Sequence, residues 1–93
     1  MKYMVTWRVL PGCYKDVAKR FLKSGGETPK GLKSIGRWHA PGSMTGWHLV
    51  EGSDAALVEN SANWADLLQL DITPVVEDEV AAAAISKVFG KKK

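Results

Sequence analysis

Both histidines of this chain and two of its four tryptophans fall in one short stretch, Gly36-Arg37-Trp38-His39-Ala40-Pro41-Gly42-Ser43-Met44-Thr45-Gly46-Trp47-His48. Those residue types suit a pocket that works without a cofactor. Arg37 carries a planar fork of N–H donors that can hold a carboxylate or an enolate. His39 and His48 are the side chains able to move a proton near neutral pH, and are the candidate catalytic acid or base. Trp7 and Met44 would give the substrate an apolar wall. The plainer reading is that Arg37 pairs with an acid, the histidines are ordinary hydrogen-bonded side chains, and the tryptophans are core.

The elements that must position these residues can be read from period and punctuation. Residues 2–10 alternate, with Tyr3, Val5, Trp7 and Val9 on one side and Met4, Thr6 and Arg8 on the other, as a strand does. Pro11-Gly12 stops it. Over residues 13–24 the period changes: Tyr14, Val17, Ala18, Phe21 and Leu22 form one helical stripe, closed by the cap glycines Gly25-Gly26. Residues 32–39 and 44–51 read as a hairpin turning at residues 40–43. Ser53 is a candidate cap for a helix with Leu57, Val58, Ser61, Ala62, Ala65 and Leu68 on its apolar stripe and Trp64 at the edge. Residues 70–76 make a last strand, which Pro74 assigns to a sheet edge because proline cannot donate to a ladder. Residues 78–89, rich in alanine, make a final helix.

The resulting class is α+β: a ferredoxin-like βαββαβ order plus a C-terminal helix. Two split βαβ units give a four-stranded antiparallel sheet with two helices on one face. The other face is left bare, to be covered by the third helix or by a second subunit. With a four-residue turn, His39 pairs with Met44 and Ile35 with His48. Ile35, Arg37, His39, Met44, Gly46 and His48 then share one face, and Leu32, Trp38, Trp47 and Leu49 the other. The tryptophan face is expected to meet the helices and the Arg/His face to be open, although a turn one residue longer or shorter would scramble the pairing.

Other chemistries fit less well. In that register the histidines stand roughly 13 Å apart, too far to share an ion, with no acid beside them, so no metal is expected from one chain. Nothing beyond a lone histidine points to haem, and no cofactor is expected. Cys13 stands before the first helix without a neighbouring histidine, and reads as a small packed side chain rather than a nucleophile. Gly25-Gly26 follows a helix instead of opening one and lacks the pattern of a phosphate loop. An RNA-recognition sheet needs two aromatics on its third strand, whereas Gly46-Trp47-His48-Leu49-Val50-Glu51 has one and ends acidic.

Composition bounds the setting. Ninety-three residues make one domain, assigned to residues 1–89 with a lysine tail over 90–93. The net charge of +3 comes from Lys91, Lys92 and Lys93, so the body is neutral and no nucleic-acid partner is expected. No signal peptide or membrane-length apolar run is visible, and one cysteine cannot form an internal disulfide; the expectation is a cytoplasmic protein with no membrane contact. A domain this small has a thin margin of burial, which favours a homodimer.

Residues 1–83 resemble an uncharacterised family of small bacterial-type domains. The resemblance rests on MKYMVTW at the start, GRWHAPGS in the hairpin, WADLL at residues 64–68 and TPVVEDE at residues 73–79. That family looks like a member of the dimeric α+β barrel group, in which two ferredoxin-like subunits pack sheet to sheet. Its relatives include cofactor-independent monooxygenases, small isomerases and haem-binding or haem-degrading enzymes. The resemblance thus implies a fold and a dimer and leaves the reaction open. Three readings follow: a cofactor-free isomerase or monooxygenase, a non-catalytic ligand-binding or stress-associated module, and a purely structural dimer.

Overall fold

The alternation of strand residues and the switch to a helical period recur in a computed structural model, which describes residues 1–42 and 44–90. Ser43, which the sequence reading assigns to the turn, and the lysines of the tail lie outside the described residues. The order is β1 (Lys2–Val9), α1 (Tyr14–Ser24), β2 (Leu32–His39), β3 (Thr45–Gly52), α2 (Asp54–Trp64), β4 (Leu68–Val75) and α3 (Asp78–Ile85), followed by a wide helical turn, Ser86–Gly90. The four strands form one antiparallel sheet in the order β2-β3-β1-β4, the ferredoxin-like arrangement. Pro74 lies on β4, which is an edge strand, where a missing N–H costs no ladder bond.

Local signals explain the helix ends. The Ser53 hydroxyl accepts the Ala56 N–H at 3.1 Å and caps α2. Gly25, at φ 71°, closes α1 by donating its N–H to Phe21 O. One helix boundary and one helix face differ from expectation. α2 ends at Trp64, so Leu68 opens β4 instead of closing the helical stripe. The buried face of α2 is Ala56, Leu57 and Asn60, while Val58 is exposed. A polar residue inside and an apolar one outside misplaced the stripe by one helical step.

The hairpin also differs. Observed pairs are Arg37 with His48, Trp38 with Trp47 and His39 with Gly46. The register is therefore shifted by two residues, an even number that keeps Arg37, His39, Gly46 and His48 on one face. A bulge between Ser34 and Gly36 leaves Ile35 unpaired and reverses the alternation before it. Leu32 and Ser34 consequently join the Arg/His face, and Leu32 is buried in the core rather than grouped with the tryptophans.

The expected sidedness is inverted: the helices cover the Arg/His face. The register with β1 decides this. Tyr3, Val5 and Trp7 stand opposite Val50, His48 and Gly46, so the apolar side of β1 carries His48 inward with it. Trp38 and Trp47 point from the open face, 53% and 40% exposed. Small residues make both faces fit. A Cβ on Gly46 would run into the Trp7 ring, and one on Gly36 into the Trp38 ring.

Two buried clusters hold the domain: Tyr3, Val5, Leu32, Val50, Ala56 and Leu57 at one end, and Val9, Leu67 and Leu68 at the other. Cys13 packs half-buried against the second. α3 does not cover the open sheet face. Val80, Ile85, Val88 and Phe89 are all exposed. The long axis is 58 Å and the radius of gyration 16.4 Å, against about 12 Å for a compact domain of this length. The C-terminal segment is an arm.

Candidate functional site

α1 is strongly amphipathic yet buries no residue fully. Apart from Val17, which also packs against the second cluster, its apolar stripe faces a cavity. Val17, Ala18 and Phe21 form one wall, Val5, Trp7, Val9, Leu68 and Leu70 the sheet floor, and Asn60 and Trp64 the α2 side. The cavity measures about 460 Å³, within the range of small-molecule sites. A dry void of that size would cost about 11 kcal/mol at roughly 24 cal/mol per Å³, as much as the whole stability of a small domain. The space is open to solvent on one side, and water relieves that cost.

Arg20 ties α1 to the end of α2 outside this lining. Its guanidinium donates to both carboxylate oxygens of Asp66 at 2.9 Å and to Asn63 O at 2.8 Å, and lies 5.5 Å from the Trp64 ring centroid.

All five residues singled out in the sequence line the cavity: Trp7, Arg37, His39, Met44 and His48. They are not equivalent. His48 is 5% exposed. Its Nε2 lies 2.8 Å from Ser34 Oγ and 3.3 Å from Arg37 Nη2. Arginine can only donate, so this arrangement assigns the lone pair to Nε2 and the proton to Nδ1. Burial first, and the Arg37 charge second, push the His48 pKa down to about 4. The ring is neutral at pH 7. In this state its Nε2 is an acceptor.

Arg37 is half-buried on β2. Its Nη2 donates to Gly26 O at 2.6 Å, and the guanidinium lies 5.6 Å from the Phe21 ring centroid. Burial lowers its pKa, though not enough to discharge a guanidinium. No carboxylate pairs with it among the described residues. The expected acid partner of the plainer reading is absent there. Gly26 takes φ 66°, and a Cβ on it would come within 2.7 Å of Arg37 Nη1. The second cap glycine thus also seats the arginine.

His39 is exposed at the cavity rim, edge-on to Trp7 at 5.2 Å and to Phe21 at 5.5 Å between centroids. It is diagonal to His48 in the ladder, which places the two backbones roughly 7–8 Å apart instead of 13 Å. Among the described residues no three of His, Cys, Asp and Glu gather at a possible metal site. Met44 is exposed, and its carbonyl accepts from Val9 N at 2.7 Å.

Asn60 and Ser34 were missed in the sequence. Asn60 is 9% exposed and lines the cavity. A polar residue amid the alanines of α2, one turn before Trp64, was the available signal. Ser34 reaches His48 only because of the bulge at Ile35, which leaves no mark in the residue pattern.

A family model described as a domain of unknown function, DUF3303, matches residues 1–89. The chain belongs to the DUF3303 family. No curated protein and no solved structure matches it. What the DUF3303 domain does must therefore be argued from its own cavity. Among the described residues no helix is long and apolar enough to cross a membrane.

Proposed function

We propose that this DUF3303 domain is a small-molecule-binding protein of the dimeric α+β barrel type, taking its ligand between α1 and the sheet. One observation carries the reading: an amphipathic helix holds its apolar stripe over an open cavity lined by residues of both core clusters. A domain this small has little apolar surface to leave unburied. An apolar occupant would bury that stripe and recover hydrophobic stabilisation at about 25 cal/mol per Å².

The site also supports one route to chemistry, cofactor-free proton transfer on an enolisable substrate. Arg37 would hold the substrate oxygen, and His39, reached by both cavity and solvent, would exchange the proton. The half-buried single thiol Cys13 suits a reducing, cytoplasmic setting.

The second part of the reading is a homodimer through the open sheet face. Trp38 and Trp47 stand side by side there, with Met4 and Leu49 half-buried beside them. Lys2, Arg8 and Lys33 and the acids Glu51 and Asp71 fringe the same face, a mixture of signs that a two-fold axis can match to itself. Four strands of eight residues cover roughly 500 Å², short of the roughly 800 Å² per partner of a standard interface. The arm, with Val80, Ile85, Val88 and Phe89 uncovered, supplies the difference when laid on the second copy.

Native mass spectrometry of the purified protein tests both parts. A dimer that retains a small organic mass supports the reading, and the mass defines the ligand. A bare monomer at micromolar concentration contradicts it.

A further inference from the structure

The lining of the cavity is unbalanced in charge. Among the described residues it contains Arg37 and no Asp, Glu or Lys. His48, neutral and turned with its lone pair toward Arg37, offers no countercharge. Arg37 spends Nη2 on Gly26 O and His48, and its Nη1 and Nε donors have no partner among the described residues. A half-buried guanidinium in an apolar cleft with free donors is matched by an anion.

A second polar group faces the same space. The Asn60 side chain makes no hydrogen bond among the described residues. Among those residues no side-chain nitrogen or oxygen sealed from solvent is left without a partner. The Asn60 amide is therefore not sealed off, and the residue lines this cavity. Trp7, Phe21, His39 and Trp64 supply aromatic edges and faces to the same lining.

Resting on the pocket reading above, we propose that the ligand is an aromatic monocarboxylic acid. Its carboxylate is taken by Arg37, its ring lies among Trp7, Phe21 and Trp64, and a hydroxyl or keto group on the ring meets Asn60 from the helix side. The carboxylate displaces water from the free Arg37 donors. Asn60 can donate to or accept from the ring substituent. A neutral or cationic ligand of the same shape leaves the arginine uncompensated and is selected against.

Titration calorimetry at pH 7 with three probes tests this: 2-naphthoate, the neutral 2-naphthamide and 6-hydroxy-2-naphthoate. The naphthoate is expected to bind at least tenfold more tightly than the amide. Arg37→Met brings the acid down to the amide's level. The 6-hydroxyl is expected to add several-fold in the native protein and nothing in Asn60→Leu. Circular dichroism establishes that each variant folds, and the ratio of acid to amide in the native protein stands as a test if one does not. Equal binding of acid and amide overturns the anion assignment and leaves the pocket reading intact. Absence of binding by all three overturns both.

Discussion

Nη2 of Arg37 stands 3.3 Å from Nε2 of His48, and the two residues face each other directly across the β2–β3 ladder. A permanent cation beside an unprotonated ring nitrogen places the charge of this pair on the arginine. Adding a proton to His48 would place two cations together in a cleft with no acid among the described residues.

Burial and Arg37 hold the His48 pKa near 4, against an ordinary 6.5. The unfolded chain therefore takes up a proton below pH 6.5 that the native state refuses. His48's contribution to stability is complete above pH 6.5 and is lost as the pH falls to about 4. The loss amounts to about 3 kcal/mol. Ring-resonance NMR should give His48 titrating near pH 4, and urea unfolding at pH 7 and pH 4.5 should differ accordingly. In Arg37→Met the value rises but stays below 6.5, since burial is the larger cause. A His48 that titrates near 6.5 in the native protein contradicts the site geometry.

The two cap glycines give a matched pair. Both take positive φ, 71° at Gly25 and 66° at Gly26, but a Cβ on Gly25 meets nothing within 4 Å. Gly25→Ala should cost only the left-handed backbone penalty, about 1–2 kcal/mol. Gly26→Ala adds a clash with Arg37 and Phe21, typically a further 1–3 kcal/mol. Denaturant midpoints compare the two, and the Gly26 variant alone should also shift the His48 titration. Equal effects would mean that Gly26 does not seat the arginine.

Much of this was legible in the residues. Alternation along Tyr3, Val5, Trp7 and Val9, the stripe on α1, the Gly25-Gly26 stop and the Ser53 cap each state a local preference that the fold keeps. The grouping of Arg37, His39 and His48 on one face survived a register error because the error was even. What failed was the side of the sheet. That depends on which β1 residues oppose β3, a long-range pairing with no local signature, and tryptophan's bulk argued for the wrong face. The facing set Gly46, His48 and Val50 accommodates Trp7 only because position 46 is glycine, a clue readable once the register is known. The Ser34–His48 contact was not legible, since it hangs on a bulge.

The proposed association through the open face has a direct consequence. Trp38→Ser with Trp47→Ser removes the apolar centre of that face while touching neither core cluster. Sedimentation velocity should show the native protein as a dimer and the double variant as a folded monomer. Truncating Trp7, packed beside the second cluster, should instead lower stability by about 3 kcal/mol or more. A native monomer, or a double variant that still dimerises, rules out this interface.

The central claim is that the Arg37/His48 face under the helices, and not the tryptophan face outside, receives the ligand. Four tryptophans report on it. Trp7 and Trp64 line the cavity, whereas Trp38 and Trp47 lie on the opposite side of the sheet. The most direct measurement is the indole N–H spectrum of ¹⁵N-labelled protein during titration with 2-naphthoate. The account predicts that the Trp7 and Trp64 signals move while Trp38 and Trp47 stay fixed. Movement confined to Trp38 and Trp47, or no movement at any of the four, would contradict it.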